Sequence, residues 1–400
     1  IGAGFTGLSA ARQLAKIKKN KKVIIIDAQL AGEGASSRNS GYLVDTTLND
    51  GFTSIKDYQD YIKKVKIYEK GVLSVKKFIE EYQVECEWNE SGKYFASSQI
   101  EDEKKLKDFS ELLSKINYKN EIFYQKELKK KIGTEFYKVA LYTHGGILIN
   151  PAKLVRSMIT ALPQNVNLFE NSTLIKWKKK NRKIYANIDS YEIVSDKIFF
   201  CTNGFLKSLG LKKRYNFPLT LTASMTRQLT KKEFETIGKP KEWGVLPVRP
   251  MGATVRMTKD QKILIRNTVE NKNPNFMNSS ELVKNSKYHK IGLKKRFPSL
   301  PENIITDTWS GVVCRSGNGS QIFEKIDEDI YVAGCYNGSG IGVGTLFGEQ
   351  IALMALNQQT DVIKIIEDRK KPNWLPPQPF LNIGINSRLF YERFKAYSEI

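Results

Sequence analysis

The fold is decided by residues 1–28, IGAGFTGLSAARQLAKIKKNKKVIIIDA. Gly2, Gly4 and Gly7 follow the pattern G-x-G-x-x-G, an apolar helical face comes next, and an apolar run then leads into Asp27. Glycines at this spacing allow a tight strand-to-helix turn, a close approach to a pyrophosphate and a helix packed closely on a sheet. Asp27 follows Gly7 by 20 residues, the separation at which a carboxylate accepts a hydrogen bond from a ribose hydroxyl. The stretch predicts a dinucleotide site for NAD or FAD; the alternative is a glycine-rich turn in an ordinary α/β domain.

The motif begins very close to the first residue. A strand of about five residues normally precedes it, and here only Ile1 does. We therefore expect that this sequence lacks the first strand of the domain, and that any targeting signal lies outside it.

Length and composition indicate a globular protein of two domains. The chain has 400 residues, a length that exceeds what one hydrophobic core usually supports. Of these residues, 40% are hydrophobic and 26% are charged. No apolar run approaches the roughly 18 residues that cross a bilayer. Four cysteines and two histidines stand without metal-ligand spacing, so neither a metal site nor a histidine-based triad is expected. Scattered cysteines are typical of a reducing compartment, and we expect a cytoplasmic protein.

The sequence contains a large excess of basic over acidic residues. The net charge is +22, yet only 14 of the 64 basic residues are arginine. Nucleic-acid readers depend on arginine, whereas surplus lysine usually forms a solvated surface. We therefore do not expect a nucleic-acid partner, while contact with an anionic membrane surface stays open.

The order of elements predicts a nucleotide-binding sheet interrupted by other segments. Near the C-terminal end, a buried strand leads into the glycine-rich stretch 334–344 and then a helix, so a second helix N-terminus points at a ligand. The predicted nucleotide-binding domain consists of three segments, residues 1–50, 145–205 and 307–365. The predicted substrate domain consists of residues 51–144 and 206–306. Residues 366–400 are predicted to form a linker and a final helix.

Several motifs in this order carry a family resemblance. They are GASSRNSG at 34–41, CTNG at 201–204, TVRMTKDQKILIRNT at 254–268 and GCYNGSGIGVG at 334–344. With the N-terminal glycines, the series resembles the glycine-oxidase and D-amino-acid-oxidase superfamily of FAD-dependent oxidoreductases, most closely its gamma-glutamylputrescine oxidase branch. The resemblance implies an α/β fold with an α+β second lobe. A Rossmann-like FAD-binding domain would be built from discontinuous segments, and the substrate domain would contain an antiparallel sheet.

The resemblance also implies which residues contact FAD. They are Gly2, Gly4, Phe5, Thr6 and Gly7 at the pyrophosphate, Asp27 and Ala28 at the ribose, Ser36, Ser37, Arg38 and Asn39 on the flavin side, Leu174 at adenine, Thr202 and Asn203 near the pyrophosphate, and Gly338, Ser339, Gly340, Ile341 and Gly342 near the isoalloxazine.

The same resemblance implies a redox enzyme in which FAD accepts a hydride from a carbon that bears nitrogen. Sarcosine oxidases of the superfamily hold the substrate carboxylate with a lysine where this chain has Gly342. Arg38, Arg256 or Arg315 would have to replace it, because a guanidinium matches a carboxylate; for each of them a structural role is the alternative. Tyr336 and Asn337 are further candidates for contact with an amine, with turn packing as the alternative.

Cys314 falls where sarcosine oxidases attach their flavin through a thioether. The alternative is a buried, inert cysteine, so we expect non-covalent FAD and keep the covalent link as the second interpretation.

Three activities fit the resemblance. The first is an oxidase of a primary or secondary amine or amino acid, with gamma-glutamylputrescine as the type of substrate, that passes electrons to O₂ and yields H₂O₂ after the imine hydrolyses. The second is a quinone-linked D-amino-acid dehydrogenase that docks on a membrane through its basic surface. The third is flavin-dependent modification of a tRNA side chain.

Overall fold

The computed structural model of the chain describes residues 1–48, 58–272 and 275–399. In chain order, the elements up to residue 169 are α1 (Phe5–Ile17), β1 (Val23–Ile26), α2 (Ala35–Arg38), β2 (Tyr42–Leu43), α3 (Tyr58–Tyr82), β3 (Lys93–Ser97), α4 (Glu103–Lys115), β4 (Asn120–Tyr124), α5 (Gln125–Ile132), β5 (Val139–Thr143), β6 (Ile147–Leu148), α6 (Pro151–Thr160) and β7 (Val166–Phe169). The later elements are β8 (Leu174–Lys180), β9 (Lys183–Ile188), β10 (Tyr191–Ser195), β11 (Ile198–Phe200), β12 (Phe217–Thr226), α7 (Lys231–Thr236), β13 (Trp243–Pro247), β14 (Thr254–Met257), β15 (Ile263–Glu270), α8 (Ser279–Arg296), β16 (Ile305–Arg315), β17 (Ile322–Asp327), β18 (Ile330–Gly334), α9 (Gly340–Ala355), α10 (Asp361–Glu367) and α11 (Phe380–Lys395).

Parallel pairs of strands carry the N-terminal motif. β1 pairs parallel with β7, and β11 pairs parallel with β18, whose other edge pairs antiparallel with β17. The backbone of the first two residues lies between these pairs: Gly2 N donates to Ile26 O at 2.8 Å, and Cys201 N donates to Ile1 O at 2.8 Å. Residues far apart in the chain are thereby joined along one row, as in a doubly wound sheet.

The helices on this sheet approach one another closely. A Cβ placed on Gly71 of α3 would lie 2.7 Å from the backbone carbon of Gly342 in α9. Only glycine fits at such a helix crossing, because any side chain would force the two backbones apart. Gly342 therefore serves the contact between α3 and α9.

A second sheet of eight strands has the order β16-β12-β15-β14-β13-β3-β5-β4. β13 pairs parallel with β3, whereas β12 pairs antiparallel with β15, and β15 pairs antiparallel with β14. β16 pairs with β12 from Phe217 to Thr226. Residues 307–315 therefore belong to this sheet. The division of the chain into segments stays a prediction.

Two helices begin earlier than the sequence predicts. The sequence pattern predicts that α9 begins at Leu346 and α11 at about Ser387, but the helices begin at Gly340 and Phe380. Glycine and asparagine have low helix propensity and indicate a turn. Tertiary packing overrides this propensity, since the first turns of both helices bury apolar side chains such as Ile341.

The predicted helix over 55–82 agrees with α3 from Tyr58 onward; its first three residues lie outside the described part of the chain.

The sequence pattern of residues 280–296 predicts a basic, solvated helix, but the inner face of α8 is buried on the eight-stranded sheet. His289 is completely buried, and its Nδ1 is 2.7 Å from Ser224 Oγ. Burial, with a smaller effect of the nearby Arg266 charge, lowers the pKa of His289 from 6.5 to about 4. The folded protein therefore holds this imidazole neutral.

A pH dependence of stability follows from this histidine. Between about pH 6.5 and pH 4 the unfolded chain binds a proton that the folded chain refuses, so acidification destabilises the fold, by up to about 3 kcal/mol from this residue. Urea unfolding measured across this range should show that the free energy of unfolding falls more steeply with decreasing pH in the wild type than in His289→Gln. His144→Gln is the matched control, since His144 is exposed, and it should keep the wild-type slope. An unchanged slope in His289→Gln would contradict the prediction.

Candidate functional site

One large cavity, of about 2020 Å³, receives residues from both sheets and from the C-terminal helix. Pockets for a single small ligand are typically about 300–1,000 Å³. The cavity therefore has room for a dinucleotide and a second, smaller molecule.

The glycine motif forms one wall of this cavity. α1 begins at Phe5, directly after Gly4, and Gly4 caps the helix without any side-chain hydrogen bond. Phe5 N donates instead to Ser36 Oγ at 3.1 Å. A Cβ on Gly7 would lie 1.8 Å from Gly2 O, so the strand-to-helix turn closes only with glycine there. The helix N-terminus, with its positive dipole end and free N–H groups, thus faces the cavity.

Asp27 lies at the end of β1 on the same wall. Its Oδ2 accepts from Ala3 N at 2.7 Å and its Oδ1 accepts from Gln29 N at 2.9 Å. The two bonds hold the carboxylate in place beside the cradle. Each oxygen keeps a lone pair, so the group retains capacity to accept from a hydroxyl in the cavity.

The far side of the cradle carries an unsatisfied hydroxyl. Thr202 Oγ1 is buried and has no hydrogen-bond partner among the described residues, and Thr202 lines the cavity. Its neighbour Asn203 is fixed, because Asn203 Oδ1 accepts from Cys335 N at 2.9 Å. A buried hydroxyl without a partner costs about 1–3 kcal/mol, so Thr202 has unused capacity to bind a polar group.

A second helix N-terminus reaches this cavity. α9 follows Ser339, which makes no side-chain cap, and the turn before it lines the cavity. Tyr336 is held at this turn by a buried hydrogen bond of 2.6 Å between its hydroxyl and Thr6 Oγ1. Burial raises the pKa of Tyr336 well above its ordinary value, so the phenol stays protonated.

Most of the residues predicted from the sequence come together here. Those that line the cavity are Gly2, Gly4, Phe5, Thr6, Asp27, Ala28, Ser36, Arg38, Asn39, Leu174, Thr202, Asn203, Arg315, Tyr336, Asn337, Gly338, Ser339, Gly340 and Ile341. The predicted residues outside the lining, all within the described part of the chain, are Gly7, Ser37, Arg256, Cys314 and Gly342. Gly7 and Gly342 act through backbone packing. The contacts of each residue with a ligand stay predictions.

Arg256 is buried, and both of its Nη atoms bind groups of the protein. Its Nη1 donates to Ser40 O at 3.0 Å and to Ile149 O at 2.8 Å, and its Nη2 is 3.2 Å from Glu242 Oε1. Burial lowers the pKa of Arg256. The guanidinium links separate segments of the fold and lies away from the cavity, so the candidate role of Arg256 in substrate contact finds no support in its placement.

Arg266 was missed by the sequence analysis and lines the cavity. Its Nη2 donates to Thr254 Oγ1 at 2.6 Å. Burial, with a smaller effect of the nearby Arg315 charge, lowers its pKa to about 10. A single arginine in the apolar strand ILIRNTV was the available signal.

Arg315 lines the cavity near Arg266, and its Nη1 donates to Asn337 O at 3.3 Å. Arg266 and Arg315 therefore present two neighbouring guanidinium groups to the cavity, which is also lined by Arg38, Arg249, Arg369 and Arg388. A guanidinium has the donor geometry that suits a ligand of the carboxylate type.

Cys314 is completely buried, and its Sγ donates to Asn216 Oδ1 at 3.5 Å. Burial raises the pKa of the thiol well above its ordinary value. A protonated thiol is a poor nucleophile, which favours the inert cysteine over the covalent flavin link.

Two other features, a metal cluster and a membrane-spanning helix, are absent from the described residues. These residues contain no group of three or more His, Cys, Asp or Glu side chains that would hold a metal ion. None of their helices combines the length and apolar character that crossing a bilayer requires.

Known proteins resemble the whole chain. It is 24% identical to a probable oxidoreductase, OrdL, of Haemophilus influenzae, across 93% of this chain and 85% of the relative. It is 23% identical to gamma-glutamylputrescine oxidoreductase of Escherichia coli, across 88% of this chain and 82% of the relative. Glycine oxidase from Geobacillus kaustophilus has the same fold, with a TM-score of 0.76 at 16% identity, over 90% of this chain and 94% of that enzyme.

The α/β fold expected from the sequence is therefore confirmed, and so is the resemblance to glycine oxidase and its relatives. The family described as FAD dependent oxidoreductase, DAO, matches residues 1–354. This chain belongs to the DAO family of FAD-dependent oxidoreductases.

Proposed function

We propose that the protein oxidises a C–N bond in an amine or amino acid that carries a carboxylate. The observation that supports this most strongly is the shared cavity, which is lined by the glycine cradle, by Asp27 and by the two arginines Arg266 and Arg315. The family supplies an FAD-dependent oxidation, and the arginines supply a partner for an anionic substrate.

The residues around the cradle fit FAD. The N-terminus of α1 would hold the pyrophosphate, Asp27 would accept from the ribose, and Thr202 Oγ1 would gain the partner that it lacks among the described residues. The turn before α9, with Ser339 at its end, would bring a second set of backbone N–H groups to the cofactor. When bound, FAD supplies the acceptor for the hydride that leaves the carbon next to nitrogen.

The protein's own groups then orient the substrate and control water. Arg266 and Arg315 would hold the carboxylate, which fixes the reacting carbon in one place. The cavity lining also includes apolar residues such as Leu221, Leu246 and Met251, which would replace water around a bound substrate. The Tyr336 phenol keeps its proton and contacts Thr6, so it is a positioning group of the cradle and does not act as a base.

The type of substrate follows from the same charges. We propose a molecule with an amine at one end and a carboxylate at the other, of the gamma-glutamylputrescine or amino-acid kind. The E. coli relative's name contains the first of these substrates. The imine product would hydrolyse in water, with O₂ as the terminal oxidant and H₂O₂ as the second product. A quinone acceptor is the alternative for the last step.

An anaerobic titration tests the proposal. Purified protein is mixed without O₂ with gamma-glutamylputrescine, putrescine, D- and L-amino acids and sarcosine, and the absorbance of the flavin is followed. We expect a carboxylate-bearing amine to bleach the flavin and putrescine to leave it unchanged. If readmitted air then restores the colour and releases H₂O₂, the enzyme is an oxidase. Bleaching by putrescine alone would overturn the carboxylate assignment. Protein that purifies with NAD and without flavin would overturn the whole proposal.

A further inference from the structure

The C-terminal helix α11 has two apolar faces. One packs against the protein through buried residues such as Leu381 and Ile385. The other is exposed to solvent and holds large side chains, with exposed fractions of 60% for Ile383, 75% for Phe390 and 76% for Phe394. A surface helix of a globular protein normally carries one apolar face, so the second face calls for an explanation.

The exposed residues form one continuous stripe. Ile383, Phe390 and Phe394 are spaced by seven and four residues, which places them on the same side of a helix. Phe380, 65% exposed, extends this stripe at the start of the helix, and Tyr397, 78% exposed, follows its end. We call these five residues the aromatic stripe. Contiguous exposed apolar patches mark an interaction site.

Basic side chains border the aromatic stripe. By their positions around the helix, Arg393 lies on one side of it, and Lys395 and Arg388 lie on the other side, towards the buried face. Arg388 pairs there with Glu392, and both Arg388 and Lys395 also line the cavity. Lys395 Nζ is 4.5 Å from the ring centre of Tyr391, and Lys295 Nζ of α8 is 5.5 Å from that of Tyr397. Aromatic residues flanked by lysine and arginine are the pattern of helices that lie in the interface of a membrane.

Charge decides between a lipid surface and a second copy of the chain. Each copy carries a net charge of +22, so two copies that meet through this basic helix repel each other. An anionic bilayer attracts the same helix, and each lysine or arginine near its surface contributes about 1 kcal/mol. The aromatic stripe would then enter the region between headgroups and acyl chains.

We propose that the aromatic stripe of α11 docks this protein on the surface of a bilayer that contains anionic lipid. The helix lies beyond residues 1–354, the part that matches the family. The docking proposal does not rest on the oxidation proposed above. It has a consequence for access, because the inner face of α11, with Leu381, Ile385 and Leu389, lines the cavity. The docked helix would stand between the bilayer and that cavity.

Vesicle flotation with the FAD-loaded protein tests the proposal. We expect the protein to float with vesicles of phosphatidylcholine and phosphatidylglycerol, to float weakly with phosphatidylcholine alone, and to release as salt is raised. The double variant Phe390→Ser/Phe394→Ser should lower the partition coefficient onto anionic vesicles at least about tenfold, because both rings lose their apolar contact with lipid.

The control variant removes a similar exposed surface elsewhere. Tyr191 and Val194 in β10 are 76% and 53% exposed, and Tyr191→Ser/Val194→Ser should float like the wild type. Both variants should keep the wild-type melting temperature and FAD content. Wild-type protein that stays off anionic vesicles would overturn the proposal, and so would equal flotation of the Phe390→Ser/Phe394→Ser variant. If sedimentation showed that the wild type is a dimer and that Phe390→Ser/Phe394→Ser is a monomer, the stripe would instead be assigned to contact with a second copy.

Discussion

Gly7→Ala is expected to abolish FAD binding. The new Cβ would lie 1.8 Å from Gly2 O, a backbone atom that cannot move without opening the strand-to-helix turn. We expect the dissociation constant of FAD to rise at least about 100-fold, which is about 2.7 kcal/mol, and the free energy of unfolding to fall by about 3 kcal/mol. The ratio of flavin to protein after purification and the melting temperature with added FAD measure the two effects.

A second glycine provides the control. A Cβ added to Gly384 in α11 would meet no neighbouring atom of the described residues within 4 Å, so Gly384→Ala should keep full FAD content. Its free energy of unfolding should rise by about 0.5–1 kcal/mol, since alanine favours the helix. Normal flavin content in Gly7→Ala would show that the turn tolerates a side chain and would contradict the cradle described above.

Arg266→Leu is expected to impair the reaction while it spares the fold. Loss of a charged donor to the substrate carboxylate costs about 3 kcal/mol, so the second-order rate constant of anaerobic flavin reduction should fall about 100-fold with a carboxylate-bearing substrate. Stability should hold or rise, because no carboxylate pairs with Arg266 among the described residues and its charge is buried. Stopped-flow absorbance and thermal unfolding measure the two quantities, and Arg266→Lys should recover part of the rate.

Arg256→Met separates a structural arginine from a substrate-binding one. It would remove the guanidinium from the Glu242 carboxylate, which would keep only its hydrogen bond from Asn89, and from the carbonyls of Ser40 and Ile149. A loss of about 3 kcal/mol in the free energy of unfolding is expected. If Arg266→Leu instead lowered the melting temperature and left flavin reduction unchanged, the assignment of the two arginines would be reversed.

The features that depend on neighbouring residues are the ones that the sequence predicts well. Gly2, Gly4 and Gly7 form a turn within a single helix start, and Asp27 follows at the end of the next strand, so the spacing alone locates the cradle. The sequence pattern also predicts helices over 101–116 and 125–131. The helices α4 and α5 agree with these bounds to within about two residues for the same reason: their periodic apolar residues face one nearby sheet.

The substrate side depends on which strands become neighbours, and this pairing is non-local. Arg256 and Arg266 lie on paired strands, β14 and β15, in equally apolar surroundings. One meets Glu242 and three backbone carbonyls, and the other opens into the cavity. Periodicity assigns both to a strand and does not distinguish them, because the partner of each is set by segments far away in the chain, such as Ile149 for Arg256.

The hydrogen bond between Thr6 and Tyr336 spans 330 residues of chain. The first and last parts of the cradle therefore meet only late in biosynthesis, once the region of β18 has left the ribosome. Long-range closure of this kind slows folding and leaves the early segments exposed to misassembly in the interval. We therefore expect FAD capture, which needs both parts of the cradle, to be a late step of maturation. The yield of folded protein should then depend more on the cellular supply of flavin than on the rate at which the chain is synthesised.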